Sequence, residues 1–364
     1  MIENKTIAVV IPAFNEEKQI GFVIETIPEF VDRIIVVNDC STDNTKTVAE
    51  SYFDKTGFSK LPEKKKETFI HERYRRADKI MNEISQREIT FFPNFEIIHP
   101  SADNRLVVMS LKKNSGVGAA VSVGYKWAKD HQIDCTVSMD GDGQMDPSEL
   151  KNLCLPIINE EADWTKGNRF AHSSAPFLIP RKRFLGNAIL SILTKIASGY
   201  WEVSDTQTGF TALSHKALSS IKLYNLYKRY GMPNDRIIKL NIAGCTLKEV
   251  PIKPVYDIGE KSTMRIRKVI RPISWLLLRS FFKRIWTRYL YKSFHPLFIL
   301  YHFSFILLLL SIPYGIKILW YVFEGLKSNP VTVMAFVFLF ISGFQSLLFA
   351  MWMDMQDNKR LYKD

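Results

Sequence analysis

With 364 residues, of which 46% are apolar, the chain is long enough for one large domain or two ordinary ones and has ample material for a core. Its formal charge of +12 does not mark a nucleic-acid binder: ten positive charges and no Asp or Glu lie between Lys261 and Lys292, and setting them aside leaves +2. Cys40, Cys135, Cys154 and Cys245 show no paired spacing, which suits reduced cytoplasmic thiols better than a disulfide or zinc framework.

Ile7 to Ile11 is a β-branched run that predicts a first strand, and nothing before Thr6 forms a signal peptide. Pro12-Ala13-Phe14-Asn15-Glu16 follows, then a helical pattern with Ile20, Val23, Ile24 and Ile27 on one face. Arg33 to Val37 is a second strand, ending in Asn38 to Asp43, where Ser41 or Asp43 caps the next helix. From about 52 to 104 the alternation breaks around the charged run Glu63 to Glu67, with a helix expected near His71 to Ile84; this is an insertion at the edge of the sheet. Leu106 to Leu111 is a third strand, leading through Asn114-Ser115-Gly116-Val117-Gly118 into a helix from about Ala119. Ile133 to Met139 is a fourth. The alternation predicts an α/β fold: a mostly parallel, Rossmann-like sheet with helices on both faces. Its polar strand ends then gather on one rim, where open α/β sheets bind ligands.

The fourth strand ends in Asp140-Gly141-Asp142-Gly143-Gln144, two carboxylates and an amide at alternate positions. An extended backbone sends alternate side chains to one side, so the three oxygens can converge on a hard cation such as Mg²⁺ or Mn²⁺. A solvated Asp-Gly turn is the competing reading. A calcium loop fails, since its sixth position is Met145 and its twelfth Lys151. Gly116 to Val121 is an incomplete dinucleotide fingerprint and no phosphate loop of the Gly-Lys-Ser/Thr type occurs, which argues against a dehydrogenase or an NTPase.

Further on, Arg183 to Tyr200 predicts an apolar helix suited either to the core or to guiding a lipid chain. Asp235 follows Pro233 at a helix start, where a carboxylate favours the dipole. Between Lys261 and Lys292 the basic residues interleave with Trp275, Phe281, Phe282, Ile285, Trp286 and Tyr289, the pattern of an amphipathic helix in the headgroup layer of an anionic leaflet. Pro296 to Ile316 and Pro330 to Met353 carry no charge, and each is long enough to cross roughly 30 Å of hydrocarbon. The basic segment places the N-terminal region on the cytoplasmic side, and two spans return the tail, with Lys359, Arg360 and Lys363, to it.

Six segments in this order resemble family 2 glycosyltransferases of the GT-A fold, within them the polyprenyl-phosphate group that includes dolichyl-phosphate mannose synthase: Val10 to Glu16, Val37 to Asp43, Asn114 to Ala120, Met139 to Gln144, Lys166 to Phe170, and Asp205 to Phe210. The resemblance implies a membrane-bound, inverting, metal-dependent transfer of a hexose from a UDP- or GDP-sugar to polyprenyl phosphate. By the same resemblance Pro12, Asn15, Glu16, Asp39, Asn114 and Asp140 hold the nucleotide sugar, and Asp140, Asp142 and Gln144 hold Mg²⁺ or Mn²⁺. Arg169, Arg183, Asn187 and Lys261 would grip the acceptor phosphate, and Asp142, Asp205 and Arg169 would carry the reaction, Asp205 as orienter or base. The expected organisation is a cytoplasmic catalytic domain over 1–260 with its insertion, amphipathic helices over 261–294, two spans over 295–353 in the cell inner membrane, and a cytoplasmic tail over 354–364. Membrane lipids and further copies of the chain are the remaining expected partners. A processive polysaccharide synthase and a non-catalytic scaffold retaining the fold are the rival readings.

Overall fold

The computed structural model describes residues 1–62, 75–99, 101–178, 181–255 and 266–363. Nine strands form one sheet: β1 (Ile7–Ala13), β2 (Arg33–Asn38), β3 (Phe95–Ile98), β4 (Leu106–Leu111), β5 (Cys135–Ser138), β6 (Trp164–Asn168), β7 (Thr211–Ser214), β8 (Leu247–Pro251) and β9 (Tyr362–Lys363). Their order is β3-β4-β2-β1-β5-β7-β6-β8-β9. The pairs β1–β2, β2–β4, β1–β5, β6–β8 and β8–β9 are parallel, while β3–β4, β5–β7 and β6–β7 are antiparallel. The expected mostly parallel sheet is therefore present in mixed form, and the insertion supplies its edge strand β3.

Twelve helices complete the described residues: α1 (Ile20–Thr26), α2 (Thr45–Glu50), α3 (Arg75–Glu88), α4 (Val117–Asp130), α5 (Leu150–Ile158), α6 (Ala175–Leu178), α7 (Arg181–Ser198), α8 (His215–Ser220), α9 (Met232–Ala243), α10 (Ile266–Trp286), α11 (Pro296–Phe323) and α12 (Pro330–Lys359). The insertion helix expected near His71 to Ile84 is α3; residues 71–74 lie outside the described residues. The fourth strand begins at Cys135 rather than Ile133, because the Ile133 amide closes the end of α4 on the Ala128 carbonyl.

Central strands are apolar throughout because both faces are covered. Ile7, Val9 and Ile11 of β1 join one core with Ile20 and Ile24 of α1 and Leu150 and Leu153 of α5. Ala8 and Val10 join the other, with Ala120 and Val121 of α4 and Ile237 and Leu240 of α9. This second core does not stop at the sheet. It runs on through Leu277, Phe281 and Ile285 of α10 to Leu297 and Tyr301 of α11 and Ala350 of α12. α11 and α12, of 28 and 30 residues, are long and apolar enough to be candidate membrane spans, and they pack as a hairpin with much of their surface exposed.

The junction between that hairpin and the sheet is polar and buried. Arg284 and Asp354, both side chains 0% exposed, form a two-pronged ion pair with N–O distances of 2.7 Å. Arg284 Nε and Nη2 also donate to the Ala197 and Ile196 carbonyls at 3.0 and 3.1 Å, satisfying the last turn of α7. Gly199 makes room: its φ is +79°, and a Cβ there would stand 2.6 Å from Arg284 Nη1. Arg288, on a π-helical turn over Thr287–Lys292, donates to Asn241 Oδ1 at 2.9 Å and Asp357 Oδ2 at 3.0 Å. Tyr289 and Asn358 bridge the two pairs.

Two expectations are corrected here. Arg284 and Arg288, counted above among headgroup charges, are 0% and 7% exposed and face carboxylates instead. Residues 354–363 are no free tail: α12 continues to Lys359, its acidic side chains neutralised by the arginines, and β9 then pairs with β8, the Leu247 amide donating to Leu361 O at 2.7 Å.

A second buried charge lies within the sheet. Lys166 of β6 is 1% exposed, and its Nζ donates to the Thr208 carbonyl at 2.6 Å. Burial pushes its pKa down to about 7, against the pull of Asp205.

Removing one member of a buried ion pair strands the other. Asp354→Ala is expected to cost about 3–5 kcal/mol and to lower the melting temperature of the detergent-solubilised protein, whereas Arg284→Met with Asp354→Leu recovers most of the loss. Equal melting of Asp354→Ala and wild type would disprove this role. For Lys166, the unfolded side chain holds its proton up to its ordinary 10.5 and the folded one only to about 7, so stability rises with pH between those values. Lys166→Met should therefore gain most over wild type below pH 7, with the gain shrinking toward pH 10.5. A gain independent of pH would contradict it.

Candidate functional site

Four strand ends meet on one rim, as the alternation predicts. Pro12 closes β1 in register with Val37, and its carbonyl lies so near Gly141 that a Cβ there would stand 3.1 Å away. Asn15, at φ +59°, accepts from the Thr42 amide through Oδ1 at 2.8 Å, while its own amide donates to Ser41 Oγ at 3.0 Å. The loops after β1 and β2 are thereby tied into one wall. Asp43 accepts from the Thr45 amide at 3.0 Å, so it, rather than Ser41, serves the start of α2.

Asp39 is 3% exposed, and its two carboxylate oxygens accept from the Ser115 and Gly116 amides at 2.7 Å each. Burial raises its pKa despite those donors. Gly116, at φ +92°, leads into α4 under the Lys228 carbonyl, where a Cβ would stand 2.3 Å from that oxygen. The sequence-based role of Asp39 is thus extended: it anchors the loop that carries Asn114, and Asn114 itself is exposed on that loop.

The acidic segment lies at the centre. Asp142 Oδ1 accepts from the Gln144 amide at 3.0 Å, and Asp140 lies against Gly209, where a Cβ would stand 3.1 Å from its Oδ2. Burial and then the Asp142 charge raise the Asp140 pKa to about 7, with Arg236 and Arg169 opposing. Glu16, whose amide donates to Thr45 Oγ1 at 2.8 Å, is likewise raised to about 7 by burial and by Asp142, Asp43 and Asp140. Among the described residues no three His, Cys, Asp or Glu side chains converge on a single point. Asp140, Asp142 and Gln144 are oxygen donors of the kind that could hold Mg²⁺ together with phosphate oxygens and water. Mutual repulsion among Glu16, Asp140 and Asp142 is what such a cation would relieve.

Opposite stands a basic group. Arg169 grips Asp205 in a forked pair, Nε to Oδ2 at 2.7 Å and Nη2 to Oδ1 at 3.0 Å. Asp205 is 0% exposed; burial alone would raise its pKa, but the charge and hydrogen bonds of Arg169 override this and hold it below the usual carboxylate range. The roles expected for Asp205 are to orient the attacking phosphate or to act as a base; in the structure both of its oxygens are engaged by Arg169, and the guanidinium is what it orients. Asp235 sits in the first turn of α9, accepting from the Tyr227 amide at 2.8 Å and pairing with Lys239 at 2.5 Å, so it is the helix-start carboxylate expected. Arg183 and Asn187 fall in the first turns of α7, and their side chains, like the whole of Lys261, lie outside the described residues.

Several residues escaped the sequence reading. Glu249 of β8 accepts from the Ser204 and Asp205 amides at 3.0 and 3.1 Å and from Asn168 Nδ2 at 3.1 Å, binding the two acceptor-like segments together. The sequence signal for it was a carboxylate within the strand Leu247–Pro251. Asn234 accepts from Gln207 Nε2 at 3.0 Å and Thr194 Oγ1 at 2.8 Å, which needs the fold to be seen.

A dolichyl-phosphate N-acetylglucosaminyltransferase of Methanococcus voltae that uses UDP-N-acetylglucosamine is 29% identical over 254 residues, covering 70% of this chain and 87% of that protein. A dolichyl-phosphate β-glucosyltransferase of Trichomonas vaginalis is 25% identical over 299 residues, covering 76% of this chain and 72% of its own length. Among solved structures, the glucosyl-3-phosphoglycerate synthase of M. tuberculosis aligns with a TM-score of 0.46 at 17% identity, over 77% of this chain and 80% of that one. The profile of "Glycosyl transferase family 2" matches residues 8–75 and 94–222, more than half of the chain, and it is to this family that the protein belongs.

Proposed function

We propose that this glycosyltransferase moves a hexose from a UDP- or GDP-sugar to polyprenyl phosphate at the cytoplasmic leaflet, with inversion at the anomeric carbon. The observation that carries the reading is an acidic cluster of Glu16, Asp140 and Asp142, on which the charge of the Asp205-paired Arg169 acts at Asp140, in a catalytic unit whose core continues into two candidate spans. The named activities of the relatives from M. voltae and T. vaginalis support a lipid-phosphate acceptor.

The walls built by Pro12, Asn15 and Glu16 and by the Asp39-anchored loop would receive the nucleoside. Mg²⁺ or Mn²⁺ on Asp140, Asp142 and Gln144 would neutralise charge on the departing nucleoside diphosphate. The attacking group is a phosphate monoester, whose second pKa of about 6 leaves it ionised near neutrality, so no base is required. Its oxygen forms the new bond to the anomeric carbon as the bond to the diphosphate breaks and its electron pair leaves with the nucleotide. Arg169, aimed by Asp205, supplies the positive charge that brings the acceptor phosphate against a second anionic group; Arg183, Asn187 and Lys261 are proposed to share that task.

The membrane placement has its own support. α10 exposes Trp275 (65%), Leu278 (50%) and Ile270 (56%) beside basic residues, as an interfacial helix would. Pairing of β9 with β8 brings the chain after α12 back to the catalytic sheet, which agrees with two crossings and a cytoplasmic location of both ends of the hairpin.

Purified protein in lipid nanodiscs, given polyprenyl phosphate, Mn²⁺ and a panel of labelled UDP- and GDP-sugars, should form a lipid-linked sugar from at least one donor. Lack of product from the whole panel would refute the reading. Asp142→Ala should lose about 10²-fold or more in kcat, and undiminished turnover would remove Asp142 from the metal set. Asp205→Ala, which frees Arg169, should lose about 10²-fold in kcat/KM for polyprenyl phosphate through misplacement, with the donor KM little changed; a loss confined to donor KM would contradict the acceptor role.

A further inference from the structure

On the side of the sheet facing α4 and α9, a group of buried polar atoms has no partner among the described residues. Arg236, in the first turns of α9, is 1% exposed; its Nη1 donates to the Tyr125 hydroxyl of α4 at 2.6 Å, while its Nε and Nη2 have no partner. Ser138 Oγ and Thr136 Oγ1 of β5 are buried and unpartnered as well. Buried donors in this state are rare, and where they persist water or a functional partner completes them.

These atoms share one face of the sheet. Thr136 and Ser138 stand in register with Ala8 and Val10, which face the core containing α4 and α9, whereas Cys135, Val137 and Met139 face the opposite core. The next residue on the α4 and α9 side is Asp140. The Arg236 charge acts attractively on Asp140 and repulsively on Lys166, and the ion pairs among the described residues include none between Arg236 and Asp140. An ordered water needs two to four polar contacts, and the free Nε and Nη2 of Arg236, the two hydroxyls and the Asp140 carboxylate on this side of the sheet are groups that could make them.

We propose that Arg236 is a positioning residue of the leaving-group site, holding the Asp140 carboxylate through ordered water shared with Ser138 and fixed in place by Tyr125. Arg236 touches neither substrate nor metal; it sets the orientation in which Asp140 meets them. The proposal rests on the donor-site reading given above. It assigns work to a residue that lies outside all six sequence segments on which the family resemblance stands.

The test is Mn²⁺-dependent binding of UDP and of GDP to the full chain in nanodiscs, compared among wild type, Arg236→Gln, Arg236→Lys and Tyr125→Phe. Loss of an outer partner of this kind typically costs 10- to 100-fold in affinity, so Arg236→Gln should bind nucleotide with Mn²⁺ about 10-fold or more weakly. Arg236→Lys should recover part of that loss, polyprenyl phosphate binding should not change, and Tyr125→Phe should weaken nucleotide binding in the same direction. Nucleotide affinity equal to wild type in Arg236→Gln, or a lowered melting temperature with unchanged affinity, overturns the proposal and leaves Arg236 a structural tie. Should Arg236→Gln fail to fold, Tyr125→Phe decides, and unchanged affinity in that variant overturns it. A wild-type protein that binds neither nucleotide with Mn²⁺ defeats the donor-site reading itself, an outcome distinct from an intact wild type with an indifferent variant.

Discussion

The ion pair between Arg284 and Asp354 is the constraint on which the arrangement of the molecule depends. Both side chains are fully buried, and an isolated charge in that position would be intolerable. Each exists because the other does, and the two belong to different parts of the protein: one to the helix that leaves the catalytic sheet, the other to the end of the second candidate span. Arg284 also takes the last carbonyls of α7, and its neighbour Arg288 takes Asn241 at the end of α9. The ends of α7 and α9 and the hairpin of candidate spans thus share one set of hydrogen bonds. Whatever net stability the pair adds, it specifies geometry, since a forked guanidinium and a carboxylate meet well in only one way.

The catalytic rim inherits this rigidity. One of the two cores of the sheet continues without a break from Val10 to Tyr301 and Ala350, so the acidic segment after β5 and the base of the spans belong to the same packed body. That would matter for the proposed transfer, in which a soluble nucleotide would diffuse to the site while a lipid phosphate would be confined to a plane, and the height of Arg169 above that plane would be set by how the hairpin is held. Asp205 and Glu249 then fix Arg169 and its strand against the adjacent loop, which leaves little slack between the anchor and the chemistry.

Much of the site was legible because its strands are buried on both faces. The runs at Ile7, Arg33 and Leu106 have no polar alternation, and each is followed at once by a polar cluster, so strand ends and motifs mark one another. The same rule hid other features. Lys166 and Glu249 are charged residues inside short strands, and their burial depends on neighbours distant in sequence, at 208 and 204–205. Arg284 and Arg288 have the composition of interfacial charges, and only the fold reveals the carboxylates of α12 beside them. Asp205 was readable as a site residue but not as a carboxylate already engaged, because a motif names side chains and is silent about the hydrogen bonds they have made.

The pairing of β9 with β8 has a consequence for biosynthesis. An exposed parallel edge invites strand addition from other chains, and here the cover is a segment translated after both long apolar helices. Were α11 and α12 to cross the membrane as proposed, the catalytic sheet would be made before them, its β8 edge open until residues 362–363 arrive, and only a hairpin inserted in the right orientation would deliver them. Closure of the sheet would then double as a check on topology, since a misthreaded chain would keep an unpaired strand, the kind of surface that chaperones recognise.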